Sequence, residues 1–242
     1  MKLRPYLTCE TGLICFEDGS RTSTHTMSDW TPEGALPADL KEEIAAAATG
    51  TESLLAFLNV VERLKTTPRT GWLRYKMIDD PESIADHQYR MSIIAMLSLS
   101  PVNQNTCVKM ALVHDMAEAI VGDITPFDDM TKAEKSRREH SSIIYMAALV
   151  EKYNPVAAKE IVDLWNQYEN CSTDEARLVK DIDKFELMLQ TYEYEKQHKF
   201  AEDLSQFYTL RGVIKTEEIG KLADELLRKR QLAMDKLGVK WD

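Results

Sequence analysis

Long hydrophobic runs are missing from this chain: no stretch approaches the roughly 18 apolar residues that a membrane helix needs. Cysteine is scarce, and Cys9, Cys15, Cys107 and Cys171 form no CxxC pair. That argues against a disulfide framework or a zinc ribbon and points to reduced thiols in a cytosolic-type compartment. Glycine-rich phosphate loops and internal repeats are absent, and no segment reads as a convincing strand. Basic charge is also short, with 30 Lys and Arg against 40 Asp and Glu, a net charge of −10. A nucleic-acid polymer is therefore not an expected partner, since such binders present a net basic face. A small anionic substrate remains compatible, because a few Arg residues or a metal ion can hold it. The N-terminus lacks a charged-then-apolar signal pattern, so the expected location is cytoplasmic or also nuclear.

What is present is enough chain for one sizeable core: 242 residues, 44% of them hydrophobic. Residues 1–35 are rich in Ser and Thr with little apolar periodicity, and read as a flexible N-terminal extension that contains His25. Residues 36–242 read as one all-α domain of about eight helices. Expected helices run from Ala38 to Ala48, Glu52 to Lys65, Ser83 to Leu99, Asn105 to Val121, Thr131 to Tyr153, Pro155 to Glu169, Thr173 to Gln197 and Thr216 to Leu237. In the second of these, Leu54, Leu55, Leu58, Val61 and Leu64 share the expected inward face. Thr131 with Glu134, and Ser172 with Glu175, have capping-box spacing. Residues 66–72, with Pro68 and Gly71, read as a loop.

One stretch breaks the ordinary pattern. Leu112-Val113-His114-Asp115-Met116-Ala117-Glu118-Ala119-Ile120-Val121-Gly122-Asp123 places polar groups in an apolar helical run. At helical spacing Ala111, His114, Asp115 and Glu118 share one stripe, and apolar residues cover the rest. A helix apolar on most sides is buried, and buried charge must be paired, hydrogen-bonded or bound to metal. His87 points inward from the preceding helix, on the side of Ile84, Met91, Ile94 and Ala95. Alone it reads as a buried core histidine. With the His114–Asp115 doublet and Glu118 one turn on, the set reads as half of a metal site. Two imidazoles and a carboxylate need a further ligand, and the helix from Thr173 offers Asp181 and Asp183. Helical geometry alone does not choose between them.

The residues carry a family resemblance. Pro68-Arg69-Thr70-Gly71-Trp72, Glu82–Met91, Ala111–Glu118, Val121–Pro126 and Glu134-Lys-x-Arg-Arg-Glu139, in this order, resemble the HD domain-containing protein 2 family. That family is related to the bacterial HD-type 5'-deoxynucleotidases and lies among the HD-domain phosphohydrolases. The resemblance implies a helical homodimer that removes the 5'-phosphate from deoxyribonucleoside monophosphates. It implies metal ligands at His87, His114, Asp115 and a late Asp, and its Val-Lys-x-x-Asp spacing falls on Asp183. It gives catalytic roles to Glu118 and Asp123, substrate contacts to Arg69, Trp72, Asp123 and Thr125, and a second metal to Glu118, Asp123 and Ile124. The bacterial pattern has Arg and Trp adjacent, whereas Thr70 and Gly71 intervene here.

The chemistry agrees with these placements. Two imidazoles with two carboxylates suit Mn²⁺, Co²⁺ or Fe²⁺ better than Mg²⁺, while a carboxylate-rich second site suits Mg²⁺. An Arg at position 69 can grip phosphate oxygens bidentately. Two other readings compete: an HD-type phosphodiesterase, and a nucleotide-binding protein that keeps a metal without turnover. The first calls for more histidines around the doublet than this five-His chain supplies, and the second leaves Glu118 and Asp123 without a purpose.

Overall fold

The computed structural model describes the backbone of Leu7–Thr8 and Ile14–Cys15, and residues 30–125 and 127–240. The fold is all-α. Its helices are α1 (Pro32–Ala35), α2 (Ala38–Ala46), α3 (Gly50–Glu62), α4 (Ile84–Leu97), α5 (Gln104–Val113), α6 (Glu118–Val121), α7 (Lys132–Glu151), α8 (Pro155–Glu169), α9 (Asp174–Gln197) and α10 (Glu217–Leu237). A two-residue antiparallel pair, Leu7–Thr8 against Ile14–Cys15, is a feature the sequence pattern did not signal. Most of the expected extension, with Cys9 and His25, lies outside the described residues, as does Pro126.

The described helices outnumber the eight expected, for two local reasons. Thr31 caps the short α1 just inside the expected extension. The single helix expected over Asn105–Val121 breaks into α5 and α6 across His114–Ala117. There the Met116 N–H bonds three residues back to Val113 rather than four. The Ala111 carbonyl, which a continuous helix offers to the Asp115 N–H, accepts a bond from His114 Nδ1 at 2.9 Å. A side chain that competes for backbone acceptors favours a local break.

The chain folds into two compact units, residues up to Thr67 with Ala117–Val162, and Pro68–Met116 with Asp163–Asp242. In the first, α3 packs on α7. Ser53 Oγ donates to the Leu149 carbonyl at 2.7 Å, and Gly50 approaches the Lys152 carbonyl so closely that a Cβ would lie 2.5 Å from it. The inward face of α3 differs from the expected one. Ala56, Phe57 and Val60 are buried, with Leu64 just beyond, while Leu55 and Leu58 stay largely exposed. The small residues Gly50, Ser53 and Ala56 let the α3 backbone come near its neighbour, and this turns the two leucines outward. At the head of α7, Glu134 accepts bonds from Arg137 and Arg138, and both guanidinium groups lie over the Trp30 ring.

In the second unit α9 is the central element and packs against α4, α5 and α10. Ala176, Leu178, Val179, Ile182, Phe185, Met188 and Tyr194 are its buried apolar positions. Its cap is Thr173, whose side chain accepts from the Ala176 N–H, in place of the expected Ser172–Glu175 box. Complete capping boxes stand instead at Thr49–Glu52 and Ser83–Asp86. The latter fixes the start of α4, the helix that carries His87. Ahead of it, Thr70–Arg74 forms a 3-10 turn where a loop was expected, anchored by Trp72 among Ile78, Tyr194 and Leu204.

Candidate metal centre

The second unit brings together His87, His114, Asp115, Asp183 and Arg69. His87 comes from the first turn of α4, His114 and Asp115 from the break after α5, and Asp183 from the third turn of α9. His87 Nε2 lies 3.3 Å from Asp183 Oδ1 and 3.9 Å from Asp115 Oδ2, and His114 Nε2 lies 3.0 Å from Asp115 Oδ2. The imidazole centroids are 5.5 Å apart. One ligand atom each from His87, His114 and Asp115 falls within 4.8 Å of the other two.

Both Nε2 atoms are buried and make no aligned hydrogen bond. In an apolar interior that is costly unless something else meets the nitrogen. The two acids beside them keep some exposure, with side-chain values of 20% for Asp115 and 30% for Asp183. The compact set is two imidazole nitrogens and the Asp115 carboxylate, and Asp183 adjoins it through His87 at 3.3 Å. This donor set fits a divalent transition ion.

The electrostatics agree with the geometry. Burial pushes the Asp115 carboxyl up, but His114, Arg69 and His87 outweigh it and hold the group well below the usual carboxylate range. Asp183 is likewise driven up by burial and down by its close contact with His87 and by the His87, His114 and Arg69 charges, with a low net value. Burial and Arg69 depress His87, yet Glu186 and Asp183 prevail and lift it to about 10. The acids are held ionised by the positive groups around them and His87 is in turn held by the acids, so the charges of the centre are mutually paired.

The expected fourth ligand has a counterpart with a different task. Asp181 is buried and turned away, and its Oδ2 accepts from the Lys215 and Thr216 N–H groups at 2.8 and 2.7 Å while Oδ1 pairs with Lys184. It fastens the start of α10. Asp183, two residues on and rotated around α9, faces His87. Its Oδ2 accepts from the Tyr168 hydroxyl at 2.9 Å. Tyr168 packs its ring 4.8 Å from that of His114 and carries Lys180 Nζ over the ring at 3.9 Å.

Arg69 Nη1 donates to Asp115 Oδ2 at 3.1 Å, and its backbone N–H bonds to the Glu82 carbonyl, so the guanidinium is delivered to the acid by the turn before α4. Trp72 is 2% exposed and packs edge-on to Tyr194 and tilted on Phe207, with Nε1 donating to Glu82 Oε1 at 3.3 Å. Its ring offers no open face; it supports the turn that carries Arg69.

The other sequence-predicted residues belong to the first unit. Glu118 is buried in the first turn of α6. Gly122 follows at φ 74°, a conformation glycine adopts freely, and redirects the chain into Asp123. The Ile124 carbonyl accepts from Lys135 Nζ at 2.7 Å, and the Thr125 N–H and Oγ1 both donate to Asp128 Oδ2.

Sequence reasoning missed the groups behind the histidines. Glu186, Arg90, Glu82 and Tyr168 all contact the cluster or its immediate support. The spacing Asp183-x-x-Glu186, one turn apart on α9, carried the signal for Glu186. Tyr168 had none, because its place is set by the packing of α8.

The chain belongs to the HD domain family, which matches residues 61–223. Among its relatives, 5'-deoxynucleotidase YBR242W of Saccharomyces cerevisiae is 46% identical over 210 residues, spanning 86% of this chain and 87% of that protein. Human 5'-deoxynucleotidase HDDC2 is 43% identical over 183 residues, spanning 75% of this chain and 88% of its own length. The solved structure titled HD domain-containing protein YGK1(YGL101W) superposes with a TM-score of 0.65 at 33% identity, covering 85% of this chain and 99% of that one.

Proposed function

We propose that the protein is a metal-dependent 5'-deoxynucleotidase that converts deoxyribonucleoside 5'-monophosphates to deoxynucleosides and phosphate. The observation that carries the reading is the pair of buried Nε2 atoms that face Asp115 and Asp183 at close range without an aligned hydrogen bond. The relatives' activity supports the substrate class. His87, His114, Asp115 and Asp183 hold the first ion, with Mn²⁺ or Co²⁺ the best match to the donors.

A bound divalent ion neutralises phosphate charge and lowers the pKa of coordinated water. The chain's own residues do the rest. Arg69, paired with Asp115 at 3.1 Å, puts a guanidinium at the site where it meets a phosphate oxygen and offsets charge that would otherwise repel the substrate dianion. By resemblance, Glu118 takes a proton or joins Asp123 and the Ile124 carbonyl at a second ion, while Asp123 and Thr125 contact substrate. Trp72 acts through the turn it anchors.

The protein works as a homodimer in the cytoplasm. Exposed Tyr89, Met96, Leu97 and Leu99 on and after α4 supply an apolar face for a second copy. Among the described residues no helix is long and apolar enough to cross a membrane. Residues 36–242 form the HD domain and the preceding residues an extension.

The test is phosphate release from a panel of ribo- and deoxyribonucleoside monophosphates under a screen of Mn²⁺, Co²⁺ and Mg²⁺. Preferred turnover of dAMP, dGMP or dTMP is the expected result. Absence of turnover on every monophosphate with every metal contradicts the reading.

A further inference from the structure

One α9 face flanks both nitrogens of His87. Asp183 Oδ1 lies 3.3 Å from Nε2, and Glu186, one turn on, places Oε2 2.5 Å from Nδ1. His87 and Glu186 are both completely buried. A lone buried carboxylate is strongly unfavourable, and this one is stabilised from its far side. Arg90 Nε donates to Glu186 Oε1 at 2.7 Å, Nη2 also pairs with that oxygen, and Nη2 donates to Gln190 Oε1 at 2.6 Å. Arg90 stands one turn after His87 on α4, and Gln190 one turn after Glu186 on α9. The four groups thus form a ladder between the two helices.

His87 could also meet a cation on its Nδ1 side, where Glu82 and Glu186 lie within ligand distance. The Arg90 guanidinium already supplies the positive charge there, and Trp72 Nε1 donates to Glu82. That leaves Nε2, with no aligned bond, as the nitrogen turned toward Asp115 and Asp183. His114 offers a contrast within the same site, for its Nδ1 meets only the neutral Ala111 carbonyl.

We propose that Glu186, clamped by Arg90, is a positioning residue of the metal centre: it holds the Nδ1 proton of His87, orients the ring and strengthens Nε2 as a ligand. This rests on the metal-site reading above. A carboxylate behind a ligating imidazole fixes its tautomer and raises its basicity, and losing one typically costs about ten- to a hundredfold in metal affinity. Its removal weakens His87 in a way that loss of the carbonyl partner of His114 does not.

The test is a titration of metal-free protein with Co²⁺, followed by calorimetry and by the visible absorption of the bound ion. Glu186→Gln keeps size and an acceptor for Nδ1–H but loses the charge. It should fold as judged by circular dichroism, bind Co²⁺ about ten- to a hundredfold more weakly and shift the visible bands. Affinity within about twofold of wild type, with unchanged bands, overturns the proposal. If Glu186→Gln does not fold, Arg90→Gln decides, since Arg90 is partly exposed: weakened Co²⁺ binding sustains the proposal and wild-type binding overturns it. Asp115→Ala serves as the reference. Should it bind Co²⁺ like the wild type, the ligand assignment itself is wrong and the positioning role falls with it; should it lose binding while Glu186→Gln keeps it, only the positioning role is wrong.

Discussion

Tyr168 donates its hydroxyl hydrogen to Asp183 Oδ2 at 2.9 Å, which leaves Oδ1 of the same carboxylate facing His87 Nε2. A tyrosine on α8 therefore sets the rotamer of the acid on α9. Burial, with Asp183 next, raises the phenol well above its ordinary value, so it stays a donor throughout the physiological range. Tyr168→Phe should keep the ring packing on His114 and lose this one bond. A hydrogen bond to a charged group contributes roughly 1.5–3 kcal/mol, so metal affinity should fall about tenfold or more. Calorimetric titration checks this, and an unchanged dissociation constant would show that Asp183 needs no help.

Asp181 and Asp183 should separate cleanly by measurement. Asp181→Ala strips the Lys215 and Thr216 N–H groups of their acceptor and frees the start of α10. It should lower stability by roughly 2–4 kcal/mol, read from the denaturant midpoint, with metal binding retained by the folded fraction. Asp183→Asn should do the opposite, weakening metal binding far more than it shifts the midpoint. If the two phenotypes are exchanged, the ligand assignment on α9 is wrong.

Acid stability should depend on Glu218. Its carboxylate accepts from Ser98 Oγ, the Leu99 N–H, and the N–H and Oγ of Ser100, tying the start of α10 to the end of α4. Burial alone raises this group, but the four donors outweigh it, and its pKa lies below the ordinary 4.5. A group depressed in the folded state contributes stability that is complete above its unfolded value and is lost as pH falls through the folded one. The wild-type urea midpoint should therefore decline below about pH 4.5, and Glu218→Gln should start lower at neutral pH and decline less steeply. Parallel acid limbs for the two proteins would exclude the linkage.

The sequence made much of this legible, and the limits have physical causes. Helical periodicity and Pro or Ser/Thr caps located the long helices because local rules govern them. The polar stripe of His114 and Asp115 was visible because charge in an apolar run is rare. The break after Val113 was not, since it depends on an imidazole competing for the Ala111 carbonyl, a contact that exists only once the ring has been placed. The face of α3 was misread because leucines outweigh Gly50, Ser53 and Ala56 in any hydrophobicity count, although the small residues decide how closely α7 approaches. Asp181 and Asp183 looked alike on a helical wheel, and the difference between them lies in α10 and in His87, both distant in sequence. Glu186 was missed because its partner His87 lies far away in the sequence and the two meet only in the fold.

The most direct measurement pairs metal content with phosphate release in the wild type and in Asp115→Ala. Asp115 contacts both histidines and Arg69, so among the described residues it is the acid most central to the site. The wild type should bind Co²⁺ or Mn²⁺, release phosphate from deoxyribonucleoside monophosphates and stop when the ion is chelated, while folded Asp115→Ala should neither bind nor turn over. Undiminished phosphate release by Asp115→Ala, or by wild type stripped of metal, would contradict the account.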